Sequence, residues 1–328
     1  MIRINDKDFP ARWEELSPEQ WLGIVDAMLE FGARRCDFNS FQIKLTEAIV
    51  GKLPKNPGNE VLCENIFRLT ECFSWPYVYS YKDERYGRLS DRTKELLRHR
   101  LPFQLDQGDP EIRIASSFET RVDFDLCFPA QLLPHLPSDP ALTGYGFSCR
   151  GPLATTDMTA RQYVAAMGLL ETLSPDAEYA DEILSSLLCV LYSGKDIDME
   201  HYPAGRIPFT EKMAVMYNFR AVNEWISRIP KYGLLFNRSS TGSGRTSPLG
   251  MEASLYTLSE KGYGDINVAG NMNLLTYLDV LLKQTVDSIF SLHSCGMKPQ
   301  EIASELGLSV DQVIGITSKH RHHETHTA

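Results

Sequence analysis

Twenty residues near the end of the chain, KPQEIASELGLSVDQVIGIT from Lys298 to Thr317, have few ways to fold. Ile302, Leu306, Leu308, Val313 and Ile316 recur at helical spacing and predict two short helices that share one apolar side. Between them, Ala303 is small enough for helices to touch, Gly307 suits a turn, and Ser309 stands where an N-cap is needed. The pattern predicts a helix-turn-helix. A preceding helix over 273–292, with Leu274, Leu278, Leu281, Leu282, Val286 and Ile289 on its apolar stripe, completes a three-helix unit.

The chemistry of that unit is less decisive than its fold. Its second helix offers Asp311, Gln312, Ile314, Gly315, Thr317 and Ser318 outward, with no Lys or Arg before Lys319. Recognition helices read bases with Arg, Lys, Asn and Gln and hold phosphates with cations. Lys298, Gln312, Lys319 and Arg321 are the residues that would meet DNA. The chain's net charge of −10 gives no general attraction for phosphate backbones. Protein contact is therefore the first expectation for this unit, and a DNA-binding regulator the alternative.

With 328 residues, 43% hydrophobic and 23% charged, the chain is long enough for two modest domains. No apolar run reaches the roughly 18 residues a membrane span requires. The opening MIRINDKDFPARWEEL lacks the apolar core of a signal peptide. Seven scattered cysteines (36, 63, 72, 127, 149, 189 and 295), none in a CxxC pair, read as buried thiols in a reducing compartment. The expected location is the cytoplasm, with no membrane partner.

Along the chain, Ile2 and Ile4 alternate with polar residues before a turn at Asp6-Lys7-Asp8, predicting a strand or hairpin. Ser17-Pro18-Glu19-Gln20 is a capping box that opens a helix bearing Trp21, Ile24, Val25 and Met28. Further helices are predicted over 39–50, 60–73 and 90–100, which together suggest a small bundle. The period then changes. Ile112 and Ile114, then Val122, Phe124 and Leu126, alternate with polar residues and predict two strands within 111–128. The Pro- and Gly-rich stretch 129–152 reads as loop. Helices resume at Thr159, whose box closes with Gln162, and at 179–192 and 209–229, the last two being the expected central core.

The expected class is mainly α, with a small β element and a C-terminal three-helix unit. The expected divisions are 1–105, 106–237, a flexible linker at 238–250 (RSSTGSGRTSPLG), 251–318, and a polar His-rich tail at 319–328.

Several segments carry residues with chemical potential. The tail holds His320, His322, His323 and His326, types that bind transition metals but here sit on a terminus suited to solvation. TGSGRTS lacks phosphate-loop spacing and reads as linker. Asp123 and Asp125 share a face of a predicted strand, the usual place for solvated carboxylates. No nucleophile elbow or HExxH is present, so neither catalysis nor a cofactor is expected. Trp75, Tyr77, Tyr79 and Tyr81, in SWPYVYSYKDERYG with Tyr86, fit either a protein-contact surface or a strand packed on the core.

Four blocks together resemble the tail-assembly-chaperone-like proteins encoded in the tail-gene regions of phages and prophages of Bacteroides-type hosts. They are IRINDKDFPARWEELSPEQWLGIV; TARQYVAAMGLLE; EILSSLLCVLY followed by PFTEKMAVMYNFRAVNEWI; and SLYTLSEKGYGDINVAGNMNLLTYLDVL. The resemblance covers about a third of the chain and supplies no catalytic residues. It implies a non-enzymatic part in virion morphogenesis, with phage tail structural proteins as partners and self-association among the contacts. It also implies a bacterial host cytoplasm as the working location, with association with the virion as a further expectation.

Overall fold

The computed structural model describes the chain apart from residues 5, 55–57, 151–152, 175–178, 237–251 and 325–328, and apart from the side chains of 319–324. Among the described residues helix accounts for 59%, with 14 α-helices beside a few small antiparallel sheets. The chain divides into two compact units, Met1–Phe128 and Pro129–Ala328. The expected linker at 238–250 lies outside the described residues.

The first unit opens with a hairpin of β1 (Ile2–Ile4) and β2 (Lys7–Phe9), turned at Asp6 with φ 61°. A 3-10 turn at Trp13–Glu15 leads into α1 (Pro18–Gly32), capped by the reciprocal Ser17–Gln20 bonds the sequence predicts. Then come α2 (Phe38–Val50), α3 (Glu60–Cys72), β3 (Tyr77–Tyr81), α4 (Asp91–His99), α5 (Pro110–Ala115) and β4 (Thr120–Phe124). The last pairs antiparallel with β3, Tyr77 opposite Phe124.

Its core is aromatic. Trp13 lies edge-on to Trp21 at 5.6 Å and to Trp75 at 5.0 Å, and 5.5 Å from Phe128. Its indole Nε1–H donates to the Asp125 carbonyl at 2.9 Å. A second ring group joins Phe31, Phe38 and Phe41 to Tyr77, Tyr79 and Phe124.

One expected strand is a helix. Residues 110–115 form α5 because Asp109 accepts from the Glu111 N–H and Pro110 fits the first helical position. Ile112 is buried and Ile114 exposed, so their alternation marks no sheet face.

Glu15 anchors the start of this unit, accepting from the Ala11 N–H at 2.8 Å, from Arg12 and from the N-terminal ammonium. The backbone bond first, then the bonds from the Arg12 side chain and the N-terminus, hold its carboxyl down at about 2 against the opposing effect of desolvation. The unfolded chain's value is about 4.3, so the native state favours the ionised form. That contribution is complete above the unfolded value and disappears as pH falls through it toward 2. Thermal unfolding between pH 5 and pH 2 is expected to show a falling midpoint, with a smaller fall in Glu15→Gln.

The second unit begins where the sequence reads as loop, yet 129–152 contains strands: β5 (His135–Leu136), β6 (Asp139–Gly144) and β7 (Phe147–Arg150). β7 forms a hairpin with β8 (Leu153–Thr156). There follow α6 (Ala160–Thr172), opened by the Thr159–Gln162 box, α7 (Ala180–Leu191), β9 (Tyr192–Gly194) and α8 (Phe209–Ser227).

β9 completes a sheet ordered β5-β6-β9. At Gly144 a Cβ would stand 2.9 Å from the Tyr192 ring, so only glycine lets these strands close. α8 buries Ala214, Val215, Met216, Phe219, Ala221, Val222 and Ile226, while Arg220 and Glu224 are exposed, and it supplies much of the core of this unit. It also buries Lys212 and Asn218. Asn218 takes the Leu132 N–H at 2.7 Å and donates to the Ala130 carbonyl at 2.8 Å.

The remaining elements are α9 (Gly233–Phe236), α10 (Glu252–Glu260), α11 (Ile266–Gly270), α12 (Leu274–Ser294), α13 (Pro299–Leu306) and α14 (Val310–Glu324). A short antiparallel bridge, Ala160 N–H to Met272 O at 2.8 Å and Leu274 N–H to Met158 O at 2.9 Å, starts α6 and α12 side by side. That bridge fixes the helix on which α13 and α14 are built. No helix among the described residues is long and apolar enough to cross a membrane.

Candidate functional site

The helix-turn-helix is formed as the sequence predicts. Ile289 of α12, Ile302 and Ala303 of α13, Leu308, and Val313 of α14 make one buried cluster, with Leu292, Leu306, Val310 and Ile316 partly buried against it. Gly307 takes φ +68° at the end of α13, in the left-handed region that favours glycine at a helix end. Leu308 N–H then bonds back to the Ala303 carbonyl at 2.9 Å. Ser309 Oγ accepts from the Gln312 N–H at 3.2 Å, and Gln312 Oε1 accepts from the Ser309 N–H at 2.8 Å.

That capping box changes what Gln312 can do. Its Oε1 is engaged with Ser309 and its Nε2 donates to the Gly233 carbonyl at 3.3 Å, so the side chain ties α14 inward to α9. Gln312 does not stand free on the outer surface as a base reader. Thr317, also expected outward, is buried and donates to the Val313 carbonyl at 3.0 Å. Gln312→Ala is expected to lower stability by about 1 kcal/mol through the loss of its side chain's bonds to the Ser309 N–H and the Gly233 carbonyl, measured by urea unfolding.

Lys298 is exposed, and its backbone N–H is held by the Glu301 carboxylate at 2.9 Å. The side chains of Lys319 and Arg321, like the histidines of the tail, lie outside the described residues. The outer surface of α13 and α14 is then Gln300, Glu301, Ser304 and Glu305 on one helix and Asp311, Ile314, Gly315 and Ser318 on the other. From Pro299 to Ser318 there are three carboxylates and no Lys or Arg. Such a face repels phosphate and suits a basic or apolar protein surface.

The aromatic segment belongs to the interior. Tyr77, Tyr79 and Tyr81 alternate along β3 onto one face, and all three are buried. Tyr77 Oη accepts from Gln42 at 2.7 Å, and Tyr81 Oη donates to the Leu97 carbonyl at 3.1 Å. Burial pushes the Tyr81 hydroxyl up to about 12. Trp75 is half-buried against Trp13. These four rings are therefore a packed strand and its flank, which corrects their reading as a contact surface.

Asp125 lies just beyond β4, where its carboxylate pairs with Arg98 at 2.9 Å, while Asp123 is exposed on the strand. Among the described residues no three His, Cys, Asp or Glu come together in a way that could hold a metal ion. TGSGRTS lies outside the described residues.

Three large apolar residues to which the sequence gave no outward role stand on the outside of the first unit. Leu96, Phe103 and Ile114 are exposed at 41%, 75% and 44%. Phe103 follows the short basic helix α4 and precedes α5. The Asp109-Pro110 cap, given its due, would have put Ile114 on a helix with freedom to face outward. Compared with family models, curated proteins and solved structures, the chain matches none.

Proposed function

We propose that this chain is a non-enzymatic protein that works through protein–protein contacts in the assembly of a phage or prophage tail, in the cytoplasm of the bacterial host. The observation that carries the contact reading is the outer surface of α13 and α14, which exposes Glu301, Glu305 and Asp311 together with the apolar Ile314. A groove reader needs the opposite charge there. The assignment to tail assembly draws on the four-block resemblance. Tail structural proteins are the partners it implies.

The experiment is co-purification of the tagged chain from cells expressing the surrounding tail-gene cluster. Stoichiometric recovery of a tail component is the expected result, and recovery of the chain alone contradicts the proposal. Mass spectrometry of purified particles then reads whether the protein stays in the virion.

The second reading is a DNA-binding regulator, favoured by one observation: the helix-turn-helix itself is well formed, with its core and turn complete. Under that reading Lys298, Lys319 and Arg321 carry the phosphate contacts.

A further inference from the structure

The third helix of the first unit is thinly packed beside the first two. α1 buries Trp21, Ile24, Val25, Ala27 and Met28, and α2 buries Phe41, Leu45, Thr46 and Ile49. α3 buries only Thr70, although Val61, Leu62, Ile66, Phe67 and Leu69 are large and apolar. Leu62, Ile66 and Leu69, at i, i+4 and i+7, form a stripe that is no more than half-buried on a helix packed against α2. Val61 and Phe67 are 67% and 47% exposed. The two ends are held better. Asn59 accepts from the Leu62 N–H at 3.0 Å, and Phe73, fully buried, meets Phe9 edge-on at 5.9 Å. A helix of this length is marginal without tertiary packing, so its open side invites a further surface.

Helical geometry alone sets the neighbours of Phe67. Glu60, Glu64, Phe67 and Glu71 fall at i, i+4, i+7 and i+11, one row along the helix, and all four are exposed. Within a turn of Phe67 stand Cys63 and Thr70 on its apolar side and Glu64 and Glu71 on the other. The one cation of the helix, Arg68, is exposed and pairs with Glu64 at 2.6 Å. Among the described residues no ion pair engages Glu60 or Glu71. Between positions 56 and 81 the chain has three carboxylates and that single arginine. The row is therefore an aromatic ring set among carboxylates, with a net negative charge.

We infer that the Glu60–Glu64–Phe67–Glu71 row of α3 docks a basic amphipathic helix of another protein. Charge selects this occupant. A second copy would set three carboxylates and one arginine against the same set, and it would be repelled. Nucleic acid and anionic lipid would bring phosphates, which are repelled likewise. A helix with Lys or Arg beside an aliphatic stripe meets the row with opposite sign and covers Phe67 by packing along α3. This adds a contact surface and a partner class to the protein-contact reading above and rests on that reading. It lies wholly within the first unit.

A small charged surface of this kind gives a dissociation constant on the order of 10 µM at low salt, weakening as salt screens the exposed charges. The probe is a fluorescent helical peptide of about 18 residues, with a leucine stripe on a lysine–alanine background. A counter-probe has glutamate in place of each lysine. Anisotropy with the full chain is expected to show saturable binding of the lysine peptide and none of the glutamate peptide. Phe67→Ser, which keeps every charge, should weaken binding about tenfold or more. Glu60→Gln with Glu64→Gln and Glu71→Gln should do the same and flatten the salt dependence. The outer surface of α13 and α14 is acidic too, so Glu301→Gln with Glu305→Gln and Asp311→Asn is the control. It changes the net charge equally and should leave affinity within about threefold. Hydrogen exchange across 60–73 should slow when the lysine peptide binds.

Circular dichroism confirms that each variant folds, and the two α3 variants report independently. A lysine peptide that fails to bind overturns the proposal, as does one that binds Phe67→Ser as tightly as wild type. Equal losses in the α13–α14 and α3 triple variants also overturn it, since the probe would then be reading general acidity. Failure here with a tail component still recovered by co-purification sinks the α3 site alone. Binding here with no tail component recovered sinks the tail-assembly reading alone.

Discussion

Trp13→Ala is expected to lower the stability of the first unit by about 3–5 kcal/mol, the usual range for removing a large buried ring. Trp13 is 6% exposed and meets Trp21, Trp75 and Phe128 at ring separations between 5.0 and 5.6 Å. The truncation opens a cavity at the centre of that cluster. It also strips the Asp125 carbonyl of the indole N–H that reaches it across 112 residues of sequence. Both effects act in the same direction. Trp13→Phe keeps much of the apolar volume and should lose clearly less. Urea unfolding followed by far-ultraviolet circular dichroism separates the outcomes. A loss below about 1 kcal/mol for the alanine variant would contradict the packing described.

The second large effect is expected at Lys212. Its ammonium, with a side chain 1% exposed, donates to both Asp181 carboxylate oxygens at 2.8 Å and so pins the first turn of α7 to α8. Asp181→Ala leaves the buried ammonium without its partner. Breaking a fully buried pair this way costs about 3–5 kcal/mol, but the Asp181 side chain is 57% exposed, so water moderates the loss toward about 2 kcal/mol. Lys212→Met behaves differently. It fills similar volume and leaves Asp181 solvated, so stability should stay within about 1 kcal/mol of wild type. A Lys212→Met variant destabilised as much as Asp181→Ala would show that the ion pair itself, and not the stranded charge, holds α7 on α8.

What could be read from the sequence was governed by how local each signal is. Ser17 with Gln20, Thr159 with Gln162, and Ser309 with Gln312 each place cap and partner within three residues, and all three helices start where those pairs predict. Ile302, Leu308 and Val313 likewise fixed the helix-turn-helix core. Of the strands in 129–152, β6 was hidden because it finds its second partner in β9, some fifty residues away, through Leu142, Thr143 and Gly144. Nothing local announces such a pairing. At 110–115 the alternation of Ile112 and Ile114 competed with the Asp109-Pro110 helix start, and the cap won.

Sites were harder than elements for a related reason. Periodicity groups Tyr77, Tyr79 and Tyr81 on one face of a strand but does not say whether that face meets water or α2 and α4. In the structure it meets Phe38, Gln42 and the Leu97 carbonyl. Gln312 looked like a reader of bases by residue type alone. Only the fold brings the Gly233 carbonyl within reach of its amide from 79 positions earlier. Phe103 carried the reverse ambiguity, since nothing in its neighbours announces a ring left in solvent.

The most direct test of whether the helix-turn-helix is a contact module is a titration of duplex DNA from the surrounding gene cluster, followed by fluorescence anisotropy at low salt. The acidic outer face of α13 and α14 predicts affinity no better than the roughly 10⁻⁴–10⁻⁶ M of non-specific binding, with no preference over unrelated duplex. Saturable binding near 10⁻⁸ M to one sequence, with a steep salt dependence and loss on Lys298→Ala, would contradict the account and make the protein a regulator.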